Sequence, residues 1–223
     1  MALVCILGDL SELALFPLRV VLYPHMPLPL HIFEPRYQAQ VRDCQKSGAS
    51  FGVVAIRSGE EAGGPSDPEV VGTVAVITKL RPLSEGRTHL VVTGTCRFLI
   101  KELVYGMPYM RAEVEMLPDQ APDPAAFILA SEARRALTRY TVGLARITGR
   151  PPSSNPLPTD PLLLSWVIAS TLMIELPRKQ RLLEQQSVSQ RLRQEIELLK
   201  RESTLLDLQL ANRLQIVPTY GRN

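Results

Sequence analysis

Pro29-Leu30-His31-Ile32-Phe33-Glu34-Pro35-Arg36-Tyr37 is the stretch on which the reading of this chain turns. An alternating apolar run ends there at a proline placed to open a helix. Pro29 suits a strand start or a sheet edge, and Leu30, Ile32 and Phe33 can be buried. Pro35 fits a first helical position, where its missing N–H is not needed. Tyr37, Val41 and Cys44 then share one helical face. The nonapeptide reads as a strand-to-helix corner. Glu34 and Arg36 flank the proline at a spacing that lets them pair with each other or hold backbone groups of neighbouring segments, and charges at corners commonly satisfy the fold itself.

Outward from this corner, Leu13 to Leu117 is written in short strands punctuated by Pro and Gly. Leu90, Val92, Gly94, Cys96, Phe98 and Ile100 alternate with His89, Val91, Thr93, Thr95, Arg97 and Lys101. This predicts a half-buried ribbon with Cys96 in the core and Gly94 as a bulge or close-approach point. Met110, Ala112, Val114 and Met116 repeat the device, Ser84 to Arg87 forms the turn between two strands, and Glu60 to Pro68 a flexible loop. So many strands around one short helix close into a barrel or a coiled sheet.

The composition changes at Leu117 to Pro124, and helices follow. Asp123-Pro124 and Asp160-Pro161 each supply an N-cap and a first-turn proline, Gly149 ends the first helix, and Ser187 with Gln190 makes a capping box. Pro177 starts a short helix through Glu184. In the last helix Leu192, Ile196, Leu199, Leu206 and Leu210 form a stripe that serves intramolecular packing or a coiled coil. The expected fold class is α+β, with a β-rich domain over 13–117, a helical bundle over 123–215, and loose termini at 1–12 and 216–223.

Composition narrows the function. A hydrophobic fraction of 45% and a charged fraction of 21% belong to an ordinary globular protein able to build its own core. The net charge of +3 hides an asymmetry, for residues 1–120 carry 11 basic and 13 acidic side chains. A nucleic-acid surface wants a basic stripe there, so nucleic acid is an unlikely partner. The apolar run Leu162 to Ile174 falls short of the roughly 20 helical residues that cross a bilayer, and no membrane role is expected. Cys5, Cys44 and Cys96 are odd in number and scattered, which fits neither a disulfide framework nor a ligand cluster and favours a reducing cytoplasm.

Chemistry is hard to find. The chain has no Gly-x4-Gly-Lys-Ser/Thr phosphate loop and no Gly-x-Ser-x-Gly elbow. His25, His31 and His89 lack the spacing of a zinc site, so neither metal nor cofactor is expected. Cys44 on an apolar helix face is an inert thiol, and Glu60-Glu61 in a glycine-rich loop cannot hold a fixed separation for acid–base work.

The corner, taken with Leu15-Phe16-Pro17-Leu18, Val21 to Pro24, Phe51 to Val54, Val71-Gly72-Thr73, Gly94 to Phe98, Pro108-Tyr109 and Ala112-Glu113-Val114, resembles the N-terminal, substrate-binding domain of ATP-dependent Lon proteases. Gln180 to Glu184 and Arg191-Leu192 are similar to that family's helical part. The resemblance implies a PUA-like β domain and a non-catalytic module that captures unfolded segments or a protein partner. A peptidase label would follow it by homology alone, because the ATPase and protease modules of full Lon proteases have no counterpart in this sequence. RNA binding by a PUA-like domain is the alternative. The candidate protein-binding residues are His31, Glu34, Arg36 and Tyr37, which offer mixed apolar and polar contact. The expected seat is a cleft at the junction of the β domain and the helical domain, on the side bordered by the Pro35 helix, or else an exposed strand edge of the β domain.

Overall fold

The structure, a computed structural model, describes residues 12–61, 66–104, 106, 108–152 and 154–215. Its strands are β1 (Glu12–Leu18), β2 (Pro27–Ile32), β3 (Phe51–Gly59), β4 (Ser66–Pro68), β5 (Val71–Pro82), β6 (Thr88–Val104) and β7 (Arg111–Leu117). Its α-helices are α1 (Pro35–Ser47), α2 (Pro124–Thr148), α3 (Pro161–Thr171), α4 (Leu176–Glu184) and α5 (Val188–Gln215). The chain divides into two compact units. One joins the described residues up to Gln120 with Ala169–Gln186, and the other joins Ala121–Ile168 with the chain from Ser187 onward.

In the first unit β1, β7, β6, β5 and β3 pair in that order, and a parallel pairing of β1 with β3 closes the ring. The other pairings are antiparallel. β4 is appended to β3, and β2 lies along the first half of β6. Successive side chains of β1 point to opposite faces. Leu13 and Leu15 pack with Val54, Val74, Phe98 and Ala112, while Phe16 and Leu18 pack with Phe51, Val53, Leu90, Val92 and the α1 residues Tyr37, Val41 and Cys44. Both faces of β1 are therefore apolar. At Gly94 an added Cβ would lie 2.3 Å from the Tyr23 carbonyl oxygen, so only glycine admits the β1–β2 connection there.

α1 begins as expected, with Pro35 in its first turn, and ends at Gly48 in the left-handed conformation at φ 67°. Its buried face is Tyr37, Gln40, Val41 and Cys44. Tyr37 corrects the expectation of a client-facing tyrosine. It is only 4% exposed, and its ring stacks on Phe16 at 4.1 Å, because the one helical face that covers the barrel includes it.

Arg97 is a second departure. It lies opposite Phe98 on β6, where the alternation predicts a solvated side chain, yet it is 1% exposed. Its guanidinium donates to the carbonyls of Leu183 (2.8 Å), Gln185 (3.3 Å) and Pro118 (3.3 Å) and pairs with Asp119 at 2.9 Å. Burial lowers its pKa, and Asp119 works against that shift. Gln180 Nε2 donates to the Val71 carbonyl at 3.0 Å, and the Tyr23 hydroxyl donates to the Lys179 carbonyl at 3.0 Å. These bonds explain why Ala169–Gln186 belongs with the barrel, where the sequence suggests a single helical domain over 123–215.

Three smaller expectations meet the structure differently. Of the Glu60–Pro68 loop, residues 62–65 lie outside the described residues and Ser66–Pro68 form β4. The expected loose termini also lie outside them, except Glu12, which opens β1 and pairs with Arg111 at 2.6 Å. Cys96, expected in the core, is half-buried against its edge, while Cys44 is free and buried.

In the second unit Asp123 caps α2 by accepting from the Ala126 N–H at 2.8 Å, and Gly149 closes the helix at φ 70°. α5 packs along α2, with Leu192, Ile196, Leu199 and Ser203 buried, so the stripe serves intramolecular packing. Arg191 lies 3.5 Å over the Trp166 ring and donates to Ser165 Oγ at 2.9 Å. One turn on, burial pushes the Glu195 carboxyl up, and Arg191 opposes the shift.

Two outcomes follow from this packing. Replacing Arg97 by Met strands Asp119 and three carbonyls, so chemical denaturation should show a loss of about 3–5 kcal/mol, with amides of 176–184 exchanging faster. Arg97→Lys should recover only part, since one ammonium cannot span four acceptors. Burial pushes the Tyr37 phenol up to about 12, against an ordinary value near 10. The unfolded chain therefore releases that proton first, and stability should fall as pH rises from about 10 to about 12, by about 2–3 kcal/mol. Denaturation curves across that range should lose this share of the slope in Tyr37→Phe.

Candidate functional site

β2 reaches its place through its prolines. A proline has no N–H to exchange, so Pro27 and Pro29 occupy positions of β2 that turn their backbone away from β6, and Leu28, Leu30 and Ile32 form the ladder. The outer edge of β2 consequently lacks two donors and is a poor template for an added strand. This weakens the strand-edge reading for β2.

The register then builds three cross-strand rows. Pro29, Val91 and Lys79 align across β2, β6 and β5, as do Leu30, Leu90 and Leu80, and His31, His89 and Arg81. These nine residues line a concavity of about 590 Å³. The His31 and His89 rings meet edge to face with centroids 4.7 Å apart, and His31 also stacks on Phe33 at 5.9 Å. Phe33 is 53% exposed, an aromatic surface left open beside the concavity.

At the corner itself Glu34 and Arg36 pair at 3.0 Å, and the Arg36 guanidinium also donates to the Glu61 carbonyl at 3.4 Å and lies 4.6 Å over the Tyr37 ring. The two charges thus hold the β2–α1 connection. Of the four candidates, His31 alone lines the concavity, while Glu34, Arg36 and Tyr37 form the frame behind it. Lys79, Arg81 and His89 were invisible as a group from sequence, since they meet His31 only through the register of β6 between β2 and β5. The one local signal was the Pro27, Pro29 spacing, which marks an edge strand.

Catalytic chemistry finds little support in these groups. Burial, with Asp43 beside it, pushes the Cys44 thiol up, away from a reactive thiolate. Among the described residues no three His, Cys, Asp or Glu side chains gather as a metal site, and no helix is long and apolar enough to cross a membrane.

Comparison with known proteins shows the family of the chain. Residues 12–201 match the family model of the ATP-dependent protease La (LON) substrate-binding domain. The chain is 32% identical over 205 residues to a Lon protease of Anaeromyxobacter dehalogenans, covering 89% of this chain and 24% of that protein. It is 31% identical over 202 residues to Lon protease 2 of Myxococcus xanthus, with 88% and 24% covered. It thus spans about a quarter of the length of these relatives. The crystal structure of a Lon N-terminal domain protein from Xanthomonas campestris superposes with a TM-score of 0.62 at 27% identity, covering 83% of this chain and 96% of that one. The N-terminal domain of a Mycobacterium avium complex Lon protease shares the fold, with a TM-score of 0.64 at 19% identity, covering 85% and 98%. Barrel, corner, α4 and the first half of α5 all fall inside the matched residues, and the chain belongs to the LON substrate-binding domain family.

Proposed function

We propose that this chain is a non-catalytic module that captures unfolded polypeptide segments or a protein partner on the β2–β6–β5 face of its barrel. The observation that carries this reading is an open concavity flanked by an exposed aromatic, within a chain of the LON substrate-binding domain family. An extended segment can lay alternate side chains on Pro29, Val91 and the paired rings of His31 and His89, while Phe33 grips its flank. Glu34, Arg36 and Tyr37 serve by fixing the corner from which Phe33 projects. No step of bond breaking is assigned to the module, and ATP has no part in its binding.

The RNA-binding alternative is carried by fold resemblance alone, and the acidic balance of residues 1–120 opposes it. Fluorescence anisotropy with a labelled, permanently unfolded protein should give saturable binding without nucleotide, and neither ATP nor casein should be turned over. Phe33→Ser should weaken that binding by about 3- to 10-fold with an unchanged melting temperature, the scale of one exposed aromatic anchor. Unaltered affinity in Phe33→Ser and in His31→Ala would overturn the assignment of this face. Turnover abolished by a point mutation in this chain would overturn the non-catalytic reading.

A further inference from the structure

The charge of the concavity differs from that of its surroundings. Acids outnumber bases over residues 1–120, 13 to 11, yet the lining carries Lys79 and Arg81 with two histidines and no acidic residue. Lys79 and Arg81 are both exposed, and neither has an acidic partner among the described residues. They stand two residues apart on β5, so both side chains rise from the same face of the sheet. Two cations without acidic partners on one face of a concave site are complementary to anions.

Resting on the function proposed above, we infer that the concavity selects extended polypeptide segments that are acidic as well as apolar. Carboxylates two residues apart on such a segment match the spacing of Lys79 and Arg81. Leu30, Leu80 and Leu90 point to the core, so apolar contact on the charged face comes from Pro29 and Val91, which share the row of Lys79, and the imidazoles of His31 and His89 offer further polar contact beside Arg81. Two cations on an otherwise acidic barrel are too few to track a phosphate backbone, and the lining is mostly aliphatic rather than a set of stacking platforms, which favours a peptide over a nucleic acid.

The test compares four labelled ligands on the full chain: a 15-residue peptide alternating Glu with Leu and Phe, its Gln isostere, its Lys counterpart, and a single-stranded RNA of similar length. Binding of the Glu peptide should exceed that of the Gln isostere by about tenfold at low salt, the scale of two exposed ion pairs. The preference should shrink as salt rises. K79E/R81E, changed at two exposed positions, should keep its melting temperature, lose that preference, and favour the Lys peptide. Equal binding of the Glu and Gln peptides, or a preference that survives in K79E/R81E, overturns the acidic selectivity and leaves the capture function standing. Tighter binding of the RNA that is lost in K79E/R81E overturns the peptide assignment. If no peptide and no unfolded protein binds, the capture function itself fails.

Discussion

Burying the guanidinium of Arg97 obliges the chain to bring acceptors to it from two distant segments, and much of the first unit's architecture meets that demand. Removing such a charge from water costs several kcal/mol unless it is paired and hydrogen-bonded. Pro118 and Asp119 supply acceptors from the strand end, and Leu183 and Gln185 supply them from the end of α4, far along the sequence. Gln180 and Tyr23 add bonds on either side. A barrel formed by the strands from Glu12 to Leu117 is thereby completed by a helix that follows α2 and α3 in the chain.

The same barrel sets the geometry of the proposed binding face. β6 is long enough to pair with β2 over its first half and β7 over its second, while β5 runs along its other side. The half that carries β2 projects a three-stranded extension whose inner residues Leu30, Leu80, Leu90 and Val92 join the core under α1. The face is therefore anchored by packing on one side and shaped by register on the other. The Glu34–Arg36 pair over Tyr37 fixes the exit of the chain into α1, and Phe33 is held where the strand ends.

Local features were legible because their signals are local. Pro35 and Asp123-Pro124 open helices, Gly149 closes one, and the apolar alternation of β6 and β7 marks the barrel. Arg97 was not, because alternation distinguishes the two faces of a strand without saying which of them a remote helix will cover. Gln40 is hidden for a related reason: it shares the buried face of α1 with Tyr37 and Cys44, although a glutamine there reads as solvated. The row of His31, His89 and Arg81 depends on a register spanning three strands, which no short window contains. Of the four candidate residues, the sequence located the corner, and tertiary packing divided them between lining and frame.

The central claim is that the β2–β6–β5 face receives the client, and amide hydrogen exchange on the full chain tests it most directly. With a saturating unfolded client, exchange should slow at residues 28–33 and 77–91 and stay unchanged along α2 and α5. Protection confined to 124–148 or 188–215, with none on the three strands, would contradict the account and assign the client to the helical unit.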